Sequence, residues 1–284
     1  MPPLPTTKVQ IPGHSEELKV SVAAPHVLLV TFNRPKSLNA MTPRMLQDMQ
    51  TVLDWFEREP ELWVVIVTGA GRVFCAGADL KAWNSDKQSG TSNEESGVLD
   101  NPHGFGSISR RQSCVKPIIA AVNGGAYGGG LEMVLNCDLV VADEKAKFAL
   151  PEVKRGVVAI QGGIPRLAHI AGHQLASELL LTGKTVSAAE ARDRFGFVNQ
   201  VVPSTEQLLP AAIKLAQEIV ANSPDAVQST KYGLLLTQKH NVTDTVAAHV
   251  RSAVSKRTYG GNNIKEGLKA FAEKRSPRWT NPKL

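Results

Sequence analysis

Lys116-Pro117-Ile118-Ile119-Ala120-Ala121-Val122-Asn123-Gly124-Gly125-Ala126-Tyr127-Gly128-Gly129-Gly130-Leu131-Glu132 is the stretch that decides the architecture. Pro117 to Val122 is a short apolar run of the length of a buried strand. The glycines that follow make a turn, and Gly128 opens a helix running to about Leu135. Asp138 to Ala142 is the next strand. Strands alternating with helices predict an α/β core with largely parallel pairing.

The same pattern extends upstream. His26 to Phe32 reads as a buried strand ended by the turn Asn33-Arg34-Pro35. Thr42-Pro43 supplies an N-cap and a first-turn proline. Met45, Met49, Val52, Leu53 and Phe56 then mark the apolar face of a helix. Trp63 to Gly69 is another strand. Residues 84–104, rich in Ser, Asn, Gly, Asp and Glu, read as a mobile loop. Downstream of Val202 the pattern turns helical, with helices expected over 205–221, 224–238 and 242–258. The division is a leader over 1–17, an α/β core over 18–203 and a helical region over 204–284.

Three consecutive glycines at a helix start cost helix stability. They also let a ligand approach amides that carry the helix's positive end. A second small-residue turn, Phe74-Cys75-Ala76-Gly77-Ala78-Asp79-Leu80, follows the strand at 63–69. Two such turns can each offer one N–H to one oxyanion. Glu132 lies one turn into the glycine-led helix, and Glu152 follows Pro151 in Phe148-Ala149-Leu150-Pro151-Glu152. Singly, each glutamate reads as a residue favoured at a helix start. Together, beside both glycine turns, they are equipment for general acid–base work next to an oxyanion hole.

Composition bounds the remaining classes. The chain has 284 residues, 42% of them hydrophobic, and a formal charge of +6. That suits one substantial core. The charge fits solubility or an anionic ligand, and no dense basic helix face with interleaved aromatics points to nucleic acid. No apolar run approaches a membrane span, and the N-terminus lacks a signal core. Cys75, Cys114 and Cys137 form no CxxC pair and are expected as reduced, buried thiols. His169 and His173 have i,i+4 spacing but no third ligand, so no metal site is expected. The sequon at Asn241 carries no weight without secretion. GxSxG, Walker A and zinc-type cysteine spacings are absent from the sequence. The chain ends Pro282-Lys283-Leu284, close to the S-K-L peroxisomal address. Peroxisomal delivery is the expectation from that ending, with the cytoplasm as the alternative.

Taken in order, these pieces resemble the enoyl-CoA hydratase/isomerase (crotonase) superfamily from about Val20 to Trp279. Carrying the resemblance are Asn33-Arg34-Pro35 with Leu38-Asn39-Ala40, then Thr68-Gly69-Ala70-Gly71, then Phe74 to Leu80. Lys116 to Gly124, Gly128 to Glu132 with Asp138, Phe148 to Gly156, Thr182-Gly183-Lys184 and Gly196-Phe197-Val198-Asn199 complete the set. The resemblance implies a ββα superhelix with a helical C-terminal trimerisation region, assembled as a homotrimer or hexamer. It implies an acyl-CoA thioester as substrate, with no metal or redox cofactor. The N–H groups of Ala78 and Gly129 would bind the thioester oxygen. Glu132 and Glu152 would activate water and protonate carbon across a 2,3-double bond. Lys81 resembles a position near the CoA nucleotide, and Phe271 and Lys274 resemble positions that touch CoA from a neighbouring subunit.

One stretch departs from the pattern. Many hydratases carry Pro-Gly-Ala at the places of Ala159, Ile160 and Gln161. Ile160 adds bulk and Gln161 adds a hydrogen-bonding amide in the acyl pocket, which points away from a simple short fatty acyl group and toward a polar or branched one. The leading expectation is a 2-enoyl-CoA hydratase. A Δ3-Δ2-enoyl-CoA isomerase, for which one carboxylate suffices, and an RNA-binding family member are the alternatives. Leu208, Ile213, Leu215 and Ile219 are expected to expose apolar stripes that subunit contacts cover.

Overall fold

Uninterrupted apolar runs such as Val64-Val65-Ile66-Val67 need cover on both sheet faces, and the chain supplies it. In the computed structural model, residues 9–79, 88–89 and 98–283 are described. Lys81 and most of the loop expected over 84–104 lie outside them. Strands β1 (Leu18–Ala24) and β2 (Val27–Phe32) pair as an antiparallel hairpin. Next to β2 come β3 (Val64–Gly69), β4 (Ile118–Val122), β6 (Leu139–Asp143) and β9 (Gln200–Val202), each parallel to its neighbour. A second sheet holds β5 (Gly125–Tyr127), β7 (Lys147–Ala149) and β8 (Thr185–Ser187).

Alternate residues of each strand serve two cores. Val65, Val67, Ile118 and Ala120 face one cluster with helix α1 (Pro43–Arg58). The Thr42 hydroxyl accepts from the Met45 N–H at 3.0 Å and starts that helix, whose Met45, Met49, Val52, Leu53 and Phe56 are buried. Val64, Ile66, Ile119 and Ala121 face the opposite cluster.

This second cluster corrects an expectation. Helix α6 (Thr205–Val220) lies against β3, β4 and β6, so its apolar stripe is covered within the chain. Leu208 is 2% exposed, and Ile213, Leu215 and Ile219 pack partly buried against the same cluster. The sheet's second face, which strand-by-strand reading leaves unassigned, is what this helix covers. Exposed apolar side chains occur further on instead, at Leu234, Val242, Val246, Val250, Leu268 and Phe271.

Between β7 and β9 lie α3 (Gly163–Ala171), α4 (His173–Thr182) and α5 (Ala188–Asp193). After α6 comes α7 (Pro224–Thr237). The single helix expected over 242–258 is two, α8 (Val242–Arg251) and α9 (Ala253–Gly260). Ser252 divides them, its hydroxyl accepting from the Ser255 N–H at 3.1 Å as a new N-cap. A further helix, α10 (Asn262–Ala272), precedes the tail. That tail is docked, with Thr280 N–H donating to Asn263 Oδ1 at 2.9 Å and Trp63 Nε1–H to Asn281 Oδ1 at 3.0 Å. Pro282 is buried.

Candidate active site

The site begins where helix α2 (Gly129–Asn136) starts. Gly128 has φ 55° and ψ −128°, a backbone state open to glycine. A Cβ there would stand 3.2 Å from Glu152 Oε1. A Cβ on Gly129 would stand 2.6 Å from the Phe105 ring, so the ring can lie on the bare backbone. The second small-residue turn is stitched to the first. Phe74 N–H donates to Asn123 O at 2.7 Å and Tyr127 N–H to Cys75 O at 3.0 Å. Isolated bridges join Cys75 to Ala126 and Met41 to Ala78. The N–H groups of Ala78 and Gly129 donate to no other group among the described residues. Gly129 is also the first residue of its helix, where the macrodipole favours negative charge.

Glu132 stands one turn further along and is 3% exposed. Its Oε1 accepts the Gly163 N–H at 2.9 Å. Burial pushes its pKa up to about 7, the Gly163 and Gln161 N–H groups and Arg110 pull against that rise, and the Glu152 charge adds to it. Glu152 opens the short turn Glu152–Arg155 after β7. Burial raises its pKa as well, and its Oε2 is buried with no hydrogen-bond partner among the described residues.

Both carboxyl groups line one cavity of about 520 Å³, inside the usual range for small-ligand sites. Ala78, Gly129, Ile160 and Gln161 line it too. The structure thus brings six of the residues singled out in the sequence to one place. It also adds Val98, Phe105, Val157 and Val158, an apolar wall with no signature in the sequence. Phe271 is 86% exposed on α10 and Lys274 is exposed beyond it, and neither lines the cavity of its own chain. His169 and His173 are exposed on separate helices. Among the described residues, no group of three His, Cys, Asp or Glu side chains is placed to hold a metal ion.

Sequence reasoning also missed Ser109. It is fully buried, its hydroxyl donating to the Gln161 carbonyl at 2.6 Å and accepting from the Phe105 N–H at 2.9 Å. The loop that supplies donors to Glu132 is therefore pinned to the segment that carries Phe105. No spacing or motif ties this serine to either glutamate; only the folded chain does.

Comparison with known proteins places the chain in a family. A sequence model of the family described as enoyl-CoA hydratase/isomerase matches residues 23–282. The chain belongs to that family. A mevalonyl-coenzyme A hydratase of Aspergillus fumigatus is 43% identical over 265 residues, covering 93% of this chain and 95% of that protein. One of Beauveria bassiana is 42% identical over 278 residues, covering 96% and 98%. Among solved structures, an enoyl-CoA hydratase from Mycobacterium tuberculosis superposes with a TM-score of 0.83 at 36% identity, covering 94% of this chain and 99% of that one.

Glu132 holds its proton more tightly folded than unfolded. Its contribution to stability is therefore complete below about pH 4.5 and is lost as pH rises through about 7. Glu132→Gln cannot ionise. It is expected to exceed the wild type in stability by on the order of 3 kcal/mol at pH 8 and by only about 1 kcal/mol at pH 5. Urea unfolding of both proteins at the two pH values checks this; an equal difference at both would contradict it.

Proposed function

We propose that the protein is an enoyl-CoA hydratase that adds water across the 2,3-double bond of an acyl-CoA thioester, or removes it. One observation carries the reading. Two carboxyl groups of raised proton affinity share a cavity with the backbone N–H groups of Ala78 and Gly129, which have no acceptor among the described residues. The thioester oxygen accepts from Ala78 and Gly129. The water oxygen bonds to C3, a proton reaches C2, and the charge that forms in between rests on the thioester oxygen as an enolate. The carboxyl that is protonated delivers its proton to carbon, and the ionised one takes a proton from water. The pair ends with the proton count it began with, so the same groups serve the reverse reaction. No step calls on a metal or a redox group. Isomerisation needs only one carboxyl, and two in the same cavity favour hydration.

The acyl group in this proposal is branched and polar. Ile160 and Gln161 stand in the cavity wall, and the names of the two fungal relatives specify mevalonyl-CoA, a branched acyl group that carries hydroxyls. Glu132→Gln and Glu152→Gln are each expected to lower kcat by about two orders of magnitude or more, the scale of an acid–base group. The check is hydration of 2-enoyl-CoA thioesters after exhaustive chelation, with products resolved by mass. Wild-type rates in both variants would reject the site, and full dependence on added metal would reject the cofactor-free reading.

The exposed apolar side chains from Leu234 to Phe271 support assembly as a homotrimer or hexamer. Phe271 and Lys274 then reach the CoA of a neighbouring subunit; the family resemblance assigns Lys81, which lies outside the described residues, to the CoA nucleotide. Sedimentation is expected to give a trimer or a hexamer at working concentration. A stable, active monomer is the outcome that counts against it.

Delivery to the peroxisome through Pro282-Lys283-Leu284 completes the proposal. Because Pro282 is buried, a receptor reads this address on the whole protein only after the last residues lift from the fold. A fluorescent reporter carrying the last dozen residues, with and without Leu284, tests the address itself. Punctate signal is expected only with Leu284; diffuse signal from both reporters in the native host removes the claim.

A further inference from the structure

The hydratase chemistry uses both carboxyl groups of the cavity and leaves one polar side chain over. Gln161 lines the same wall, and its Oε1 is buried with no hydrogen-bond partner among the described residues. Around it the wall is Val98, Phe105, Val157, Val158 and Ile160. A buried amide oxygen left unpaired is costly, and such groups in a native fold usually have a partner in the functional complex. Glutamine is also an unusual choice for a wall whose other duty is to desolvate Glu132.

The backbone that carries this amide is fixed. The Ser109 hydroxyl holds the Gln161 carbonyl at 2.6 Å, and two residues on, the Gly163 N–H is bound to Glu132 at 2.9 Å. The side chain therefore projects from a segment locked to the reacting carboxylate, as a specificity group must. Rotation of the terminal amide presents either its oxygen or its NH₂ to the cavity.

We propose that the Gln161 carboxamide is the specificity determinant for a hydroxyl on the acyl chain, its Oε1 accepting the hydrogen bond of that hydroxyl. This rests on the hydratase reading and deepens it. The ligand class is a 2-enoyl-CoA, or its hydrated product, with a hydroxyl beyond the reacting carbons. A site built to bond a substrate hydroxyl discriminates against an analogue that lacks it, because the site's own polar group is then left unpaired.

The test uses two branched 2-enoyl-CoA thioesters that differ only in a terminal hydroxyl. For the wild type, kcat/KM is expected to favour the hydroxylated thioester by at least about tenfold. In Gln161→Met, which keeps length and removes the amide, that ratio is expected to fall to near one. Damage to the fold or to Glu132 lowers both rates by a common factor and leaves the ratio unchanged, which would overturn the proposal. A second measurement needs no variant: inhibition of the wild type by the saturated thioesters, with and without the hydroxyl, is expected to show the same preference in Ki. Equal Ki values and equal kcat/KM values for the wild type overturn the proposal while the hydratase reading stands. A wild type that hydrates no 2-enoyl-CoA at all overturns both.

Discussion

A carboxylate removed from water must find donors in the protein, yet too many donors would abolish its affinity for a proton. Much of the site follows from that balance at Glu132. Burial raises its pKa, and two backbone N–H groups, from Gln161 and Gly163, limit the rise so that it stops at about 7. Gln161 lies just ahead of α3, whose first residue is Gly163, so something else must hold that junction. Ser109 does, through the Gln161 carbonyl. Ser109 in turn holds the N–H of Phe105, whose ring occupies the space that a Cβ on Gly129 would fill. Glu132, the stretch before α3, the cavity wall and the start of α2 are thus one connected assembly. A shift in any member moves the rest.

How much of this was legible in the sequence depended on the range of the interaction. The strands at β2, β3, β4 and β6 and the helix starts at Thr42 and Gly128 are local in origin. Apolar runs, an N-cap and a glycine turn announce them within a few residues. The pair Glu132 and Glu152 was legible because each stands next to such a local signal. The family resemblance extended this to Ala78, Ile160 and Gln161. Ser109, Phe105 and Val98 were not legible, because their roles depend on contacts with segments many residues away and on no local pattern. The helices over 163–193 escaped notice for a related reason. They are short, two of them meet at Gly172, and none carries a long apolar period. The stripe of α6 was read correctly as apolar and wrongly as exposed, since nothing in a helix's own sequence says what lies opposite.

The far end of α2 has a role of its own. Asp138 follows α2 by two residues and accepts from the Ile118 N–H at 2.7 Å. It also meets Lys231 Nζ of α7 at 2.8 Å, and Lys231 reaches the Lys116 carbonyl at 2.8 Å. Lys231 is buried while Asp138 is partly open to water, so losing Asp138 would leave the lysine's charge stranded. These contacts fasten the helical region to the end of the helix whose first residue, Gly129, lines the cavity. Apolar side chains on α8 and α10 are then presented outward from a fixed base.

The wall that desolvates Glu132 also limits how a polar substrate can be recognised. Val157, Val158 and Phe105 line the cavity that the carboxyl pair shares, and burial raises both pKa values. An arginine or lysine placed there to bind an acyl hydroxyl would favour the carboxylate forms and lower those pKa values. The shared proton would then be lost near neutrality. An added aspartate or glutamate would have the opposite fault, holding protons on both carboxyl groups. A neutral amide avoids both effects, because it can bond a hydroxyl without adding a net charge beside the pair. Glutamine at position 161 meets that requirement, and the two alternatives that carry charge do not. Acidity and selectivity are set by the same wall, so the residue that reads the substrate has to be one that the acid–base pair does not feel as an ion.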